Sequence, residues 1–212
     1  TMGYALAFLG GLCQAGSMGL PYHWGASGGL QWLAMFLLAY LTLNSGSSRQ
    51  SARVAWVFQC TALTATFWWI FISLHTYGGM NSLLAGFAVI ALAGALALYW
   101  SALAGVFYQI GVKVWTGKRE RSNIFLAWAE RLALSFVFAS SWMLSELCRA
   151  QWFTGFPWGS SGYAHNDTWL GAFAPFLGVY GIGAISAALA MWVAHVLWTR
   201  EQEKERAAFP VC

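Results

Sequence analysis

One stretch, residues 145–165, holds most of the side chains that could take part in chemistry. Glu146 and Arg149 are three residues apart, so on a helix they lie on one face. A charged pair at the end of a membrane-spanning segment is costly unless it is paired or hydrated, and it therefore indicates a functional site. The alternative interpretation is an ion pair that only caps the end of a helix.

The next segment, Gly155-Phe156-Pro157-Trp158, cannot continue that helix. Proline has no amide hydrogen, and it restricts the residue before it to extended conformations. Tryptophan and tyrosine are favoured where a membrane meets water. The sequence therefore predicts a stiff aromatic loop at the membrane interface, although an aromatic anchor without any chemistry would have the same composition.

The composition identifies the class of protein that carries this site. Of the 212 residues, 59% are hydrophobic and only 8% are charged, whereas a soluble domain has about 25% charged residues. The apolar residues recur in blocks of about 20, the length that crosses a bilayer as a helix. The net charge of +4 does not indicate nucleic-acid binding, because the basic residues lie in short loops.

These blocks predict an all-α membrane protein, a bundle of six transmembrane helices within residues 1–199, followed by a polar cytoplasmic tail at 200–212. Pro175 is expected to mark a kink or the start of the sixth helix. The predicted spans are 4–20, 28–43, 54–74, 82–108, 132–147 and 169–197.

The basic residues also predict the orientation. Ten of the eleven lysines and arginines lie in the loops after spans two, four and six, or in the tail. Because such loops stay in the cytoplasm, the amino terminus is expected to be cytoplasmic and the 155–158 loop to face outward. The eleventh basic residue is Arg149, and its position against this bias favours a functional role for the pair.

Known chemical motifs do not appear in the chain. There is no phosphate-binding glycine loop, no H-E-x-x-H and no G-x-S-x-G. The four cysteines form no C-x-x-C motif or cysteine–histidine cluster, so we expect no metal and no cofactor. Cys148 is a weak candidate nucleophile, because only His165 lies near enough in sequence to serve as its base.

The polar and aromatic residues on the outward side could form a recess that suits a lipid. Apolar walls would hold acyl chains, and one guanidinium group would meet a phosphate headgroup. Four residues of the loop would shape its rim: Phe156, Pro157, Trp158 and Tyr163. The remaining predicted lining consists of Trp68, Trp69, Tyr77, Gly78, Gly79, Glu146 and Arg149.

These motifs, taken in order, resemble a known family. Glu146-x-x-Arg149, the string T-G-F-P-W at 154–158 and the pair at 162–163 are similar to the membrane part of bacterial apolipoprotein N-acyltransferase. Weaker matches follow the same order along nearly the whole chain: Pro21-Tyr22-x-Trp24, Trp69 with Ser73, and Tyr77-Gly78-Gly79-Met80.

The resemblance implies a function at the bacterial inner membrane. The family transfers an acyl chain from a phospholipid donor to an apolipoprotein acceptor, on the amino group of its amino-terminal diacylglyceryl-cysteine. It does so through a thioester on a cysteine in a nitrilase-like domain, with a Glu–Lys–Cys set. No cysteine here matches that nucleophile, so no catalytic residue is assigned, and the chain alone is expected to be inactive.

In this interpretation the chain anchors the catalytic domain and admits phospholipid from the outer leaflet, with Arg149 contacting the headgroup and Glu146 orienting Arg149. Two other classes stay open. A small carrier or channel could use the same charge pair as a gate, although no inverted repeat is visible and spans one to four carry no charge in mid-membrane. A non-catalytic membrane scaffold is the third possibility.

Overall fold

Helices make up every regular element of the computed structural model, which describes residues 2–19, 27–113 and 124–208. Two π-helical turns, Ser73–Tyr77 and Tyr108–Val112, continue the α-helices that end at Ile72 and Phe107. Three short 3-10 helices lie between the α-helices Ile124–Gln151 and Ala174–Ala208: Trp152–Thr154, Ser161–His165 and Trp169–Phe173. The all-α prediction is confirmed. The described residues form seven α-helices: α1 (Met2–Ser17), α2 (Gly28–Leu43), α3 (Ser48–Thr66), α4 (Trp68–Ile72), α5 (Ser82–Phe107), α6 (Ile124–Gln151) and α7 (Ala174–Ala208).

Polar side chains fix the starts of three helices. The Ser27 hydroxyl accepts from the Leu30 amide, and Ser47 and Asn81 cap α3 and α5 in the same way. Such caps satisfy amides that have no partner within the helix.

The predicted six-span bundle is not confirmed by the helix lengths. Two described helices, Ser82–Val112 and Trp169–Lys204, are long and apolar enough to cross a membrane. A third candidate is the pair Ser48–Thr66 and Trp68–Tyr77, which is bent by 52°. At the bend, the backbone of Phe67 leaves the helical region with φ −94° and ψ 17°. The span predicted at 54–74 is therefore two helices rather than one.

Several predicted boundaries also differ from the structure. α6 begins eight residues before the predicted span at 132, and α7 continues through residues 200–208 of the predicted polar tail. Pro175 lies in the first turn of α7, where its missing amide hydrogen costs nothing, and the interruption of that helix is at Gly178 (φ 64°). The predictions that concern Pro21, Tyr22 and Trp24 lie outside the described residues.

The helices pack in a closed order. α3 lies against α1 and α5, α2 lies against α1 and α7, and α6 lies against α5 and α7. Small residues on α5 allow α3 to approach closely: a Cβ atom at Gly94 would lie 3.3 Å from the Trp56 ring, and one at Gly105 would lie 3.3 Å from Ser48 Oγ.

Aromatic rings join α5 to α6 inside this arrangement. The Trp100 ring meets Phe138 and Trp142 edge to face, with centroids 5.4 and 4.9 Å away, and Phe107 meets Phe138 at 5.3 Å. All four side chains are almost completely buried. This contact fixes α6, whose final turns carry Glu146 and Arg149, relative to α5.

Candidate functional site

Glu146 and Arg149 lie on one face of α6, as the spacing predicts, and each is only 2% exposed. The carboxylate of Glu146 binds the segment that follows the loop: it accepts from the Ser161 amide at 2.7 Å and from the Ser161 hydroxyl at 3.3 Å. Ser161 in turn accepts from the Trp142 indole at 2.9 Å. No ion pair within 4.0 Å joins Glu146 and Arg149 among the contacts of the described residues.

Arg149 binds the aromatic loop through one of its terminal nitrogens. Nη1 donates to the carbonyl of Phe156 at 2.8 Å and also to the carbonyl of Trp158. The Phe156 amide donates back to the Arg149 carbonyl at 2.8 Å. Nη2 is buried and has no hydrogen-bond partner within the described part of the chain. The guanidinium therefore holds the loop through Nη1, while the two N–H donors of the buried Nη2 have no partner among the described residues.

The loop requires a glycine at its first position. Gly155 has φ 80°, and a Cβ atom there would lie 2.1 Å from the Ala150 carbonyl oxygen. Beyond it, the Phe156 ring packs edge-on against Phe67 at 4.9 Å, and the Trp158 ring lies 6.5 Å from Trp69. The loop is thus seated against the bend between α3 and α4.

A long apolar groove of about 890 Å³ lies between α5 and α6. Its α5 side extends from Leu92 to Leu103, which is about 16 Å at 1.5 Å per residue. The loop and Arg149 contribute to its lining, together with Cys148. No feature of the sequence of α5 indicates this groove, because its lining residues are ordinary membrane-helix residues. The remaining lining residues are Ala95, Leu96, Leu98, Tyr99, Ala102, Leu144, Trp152, Phe153, Gly155 and Phe156.

The other predicted site residues lie around this centre rather than in the groove. Trp68 and Trp69 are 39% and 40% exposed on α4, and Tyr77 is 85% exposed at the end of its π-helix. That π-helix, which leads into Gly78 and Gly79, packs mainly on α4 and α5. Pro157 and Trp158 are exposed on the loop.

Tyr163 is half exposed on the 3-10 helix Ser161–His165, which packs on α7 and α2. A role of these residues in binding stays a prediction.

The structure also contains a buried polar cluster that the sequence did not reveal. His165 is 5% exposed, with Nε2 3.0 Å from Gln31 Oε1 and Nδ1 3.3 Å from Thr168 Oγ1. Ser186 donates to the same oxygen of Gln31. Burial lowers the pKa of His165 below its ordinary value, so the ring is neutral near pH 7. Both ring nitrogens have these neighbours, which gives no support to His165 as a base for Cys148.

Comparison with known proteins identifies related sequences over most of the chain. The family model for the apolipoprotein N-acyltransferase N-terminal domain matches residues 15–192. Apolipoprotein N-acyltransferase of Verminephrobacter eiseniae is 39% identical over 199 residues, which is 92% of this chain and 34% of that protein. The proteins of that name from Ralstonia nicotianae and Pseudomonas syringae pv. tomato are 37% and 35% identical, each over 76% of this chain and 28% of the relative. The chain thus spans about a third of the length of the relatives it matches.

Proposed function

Because the chain belongs to the apolipoprotein N-acyltransferase N-terminal domain family, we propose that it is the membrane part of an enzyme that acylates lipoproteins. The acyl donor would be a phospholipid, and the acceptor would be the amino group of an amino-terminal diacylglyceryl-cysteine. In this proposal the chain anchors the catalytic domain and delivers the donor to it.

The groove between α5 and α6 is the observation that carries this proposal. Its volume of about 890 Å³ falls in the range of ligand pockets, and its walls are almost entirely apolar. An acyl chain is the ligand class that such walls favour, because each buried methylene contributes about 0.8 kcal/mol. A phospholipid would place its chain along α5 and its polar end near the loop.

Arg149 supplies the polar contact in this arrangement. Its Nη2 is buried beside the loop with no partner among the described residues, and the same side chain lines the groove. Guanidinium N–H groups match phosphate and ester oxygens in geometry and charge. Glu146 would act indirectly, because its bonds to Ser161 hold the segment beyond the loop in place.

The proposed topology has six spans in the bacterial inner membrane, with the amino terminus in the cytoplasm and the 155–158 loop in the periplasm. Two contacts between described residues support the placement of the basic segments at one end of the helix bundle. The Tyr40 hydroxyl meets Glu201 at 2.6 Å, which joins the ends of α2 and α7, and Gln109 meets Ser48 at 3.1 Å, which joins the start of α3 to the end of the α5 span. Arg49, Lys113 and Arg200 belong to these segments.

The chemistry of transfer would take place outside this chain. A thiolate would attack the ester carbonyl of the phospholipid, releasing lysophospholipid and leaving the acyl group as a thioester. The lipoprotein amine would then displace the thiolate and form an amide. Both steps need a base and oxyanion donors, which the catalytic domain of the complete protein would supply.

A groove-filling substitution tests the delivery role in the complete acyltransferase. Ala95 lines the groove, so Ala95→Phe should displace about two methylenes of the donor and lower kcat/KM for phospholipid about tenfold. The assay would follow acyl transfer to a diacylated lipopeptide at varied phospholipid concentration. Arg149→Ala is less informative, because it would also remove the bonds that hold the loop.

Ala91→Phe is the matched control, since Ala91 is also exposed on α5, one turn earlier, but does not line the groove. We expect its kcat/KM to stay within about twofold of the wild type. Equal effects of the two substitutions would contradict delivery through this groove. A complete wild-type protein without any acyl transfer would overturn the enzymatic function itself.

A further inference from the structure

A second groove, of about 440 Å³, lies on the outside of the helices, and no residue of the 155–158 loop lines it. α1, α3 and α5 form it together, with Tyr4, Trp56, Val57 and Leu98 as its larger apolar walls. Among the described residues that line it, Arg53 is the one with a charge, and it is exposed on α3. The groove therefore combines an apolar surface with one cationic group.

Two of the neutral polar groups at this groove, on Trp56 and Ser101, already have partners. The Trp56 indole donates to the Gly94 carbonyl at 3.0 Å, and the Ser101 hydroxyl donates to the Ala52 carbonyl at 2.9 Å. Arg53, in contrast, makes no ion pair or hydrogen bond to any residue that the structure describes. A ligand in the groove would thus meet mainly apolar side chains, together with the guanidinium group of Arg53, which has no partner among the described residues.

A second arginine increases the positive charge at this position. Arg49 precedes Arg53 by four residues on α3, so the two side chains share one face of the helix, and both are exposed. Like charges at this spacing destabilise a helix by a few tenths of a kcal/mol. An anion between them would relieve the repulsion, and α3 carries no acidic residue in its first turn that could do so.

We infer that this groove is a binding site for an anionic phospholipid of the bordering leaflet, with the phosphate at Arg53 and an acyl chain along Val57 and Leu98. Basic pockets between membrane helices recognise anionic headgroups in this way. The two grooves share Leu98 but differ in every other lining residue, and this one holds a resident lipid rather than an acyl donor. It does not depend on the proposed acyl transfer.

Native mass spectrometry of the detergent-solubilised chain tests the inference, with phosphatidylglycerol and phosphatidylcholine of identical acyl chains as probes. We expect phosphatidylglycerol to bind several-fold more tightly. Arg53→Gln should weaken its binding about fivefold, which corresponds to about 1 kcal/mol for one basic side chain near a lipid surface. The control is Arg200→Gln, which removes an exposed arginine of α7 that does not line the groove and should change binding by less than twofold.

Val57→Phe tests the apolar half of the site, because it fills the groove and keeps both arginines. It should also weaken phosphatidylglycerol binding, whereas millimolar inorganic phosphate should not displace the lipid. Equal affinity for the two lipids, equal effects of the two arginine substitutions, unchanged binding by Val57→Phe, or full displacement by phosphate would each overturn the inference. None of these readouts depends on acyl transfer, so this test and that of the proposed enzyme fail independently.

Discussion

Glu146 and Arg149 are removed almost entirely from solvent, and each burial costs several kcal/mol unless the charge is satisfied. Hydrogen bonds to charged groups contribute about 1.5–3 kcal/mol each, and each of the two side chains makes two. The partners come from the chain beyond α6, at Phe156, Trp158 and Ser161. The hydrogen bonds of these two side chains therefore order the segment that follows α6.

His165 provides a pH test at the scale of one residue. Burial lowers its pKa in the folded protein, so the unfolded chain binds more protons as the pH falls through about 6.5. The contribution of the neutral His165 ring to the free energy of unfolding is therefore fully present above that pH and is lost as the pH falls below it. We expect the thermal midpoint, followed by tryptophan fluorescence in detergent, to fall between pH 7.5 and 5.5.

The comparison that isolates this effect is between two histidine substitutions. His165→Gln should reduce the drop in midpoint, because the titrating group is gone. His75→Gln should keep the wild-type drop, since His75 is exposed on the π-helix after α4. The assignment to His165 would be wrong if both variants had the same pH dependence.

At the scale of elements, the approach of α7 to the segment after the loop depends on a glycine. A Cβ atom at Gly183 would lie 2.2 Å from Ser161 Oγ and 3.4 Å from Glu146 Oε2. Gly183→Ala should therefore push Ser161 from its place and lower the free energy of unfolding by about 1–3 kcal/mol, the usual cost of overpacking. Chemical unfolding in mixed micelles would measure the change.

Gly86 on α5 is the matched position for this experiment, because a Cβ atom there meets nothing within 4 Å. Gly86→Ala should leave the stability unchanged or raise it by up to about 1 kcal/mol, through the better helix propensity of alanine. A Gly183→Ala variant as stable as Gly86→Ala would contradict the tight contact between α7 and Ser161.

The sequence predicted the helices better than the bends and loops that connect them. Apolar periodicity located α2 and α5 nearly to the residue, and the Glu146–Arg149 spacing correctly indicated one face of α6. It missed the bend at Phe67, because no proline or glycine interrupts the apolar run there. It also missed Ser161 as the partner of Glu146, since a serine fifteen residues away has no pattern until the loop is folded.

At the scale of the whole molecule, the Arg149 groove forms only where α5, α6 and the 155–158 loop come together. No single segment of the chain contains it. Its α5 side consists of leucine, alanine and tyrosine residues that any membrane helix could carry. The aromatic contacts of Trp100 with Phe138 and Trp142, and of Phe107 with Phe138, help to set the separation of α5 and α6. A sequence can therefore indicate Arg149 as a candidate site, whereas the space beside it follows from packing.

The orientation of the whole chain is the prediction on which the outer-leaflet role of this space depends. The contacts of Tyr40 with Glu201 and of Gln109 with Ser48 gather basic segments at one end, and basic segments remain cytoplasmic. Trp158, 55% exposed on the loop, is expected at the opposite, periplasmic end. A cysteine in place of Trp158, in a background without the native cysteines, should react with a membrane-impermeant maleimide in intact spheroplasts. Asn44→Cys, exposed after α2, should react only after permeabilisation, and the reverse pattern would place the Arg149 groove in the wrong leaflet for a periplasmic acyl donor.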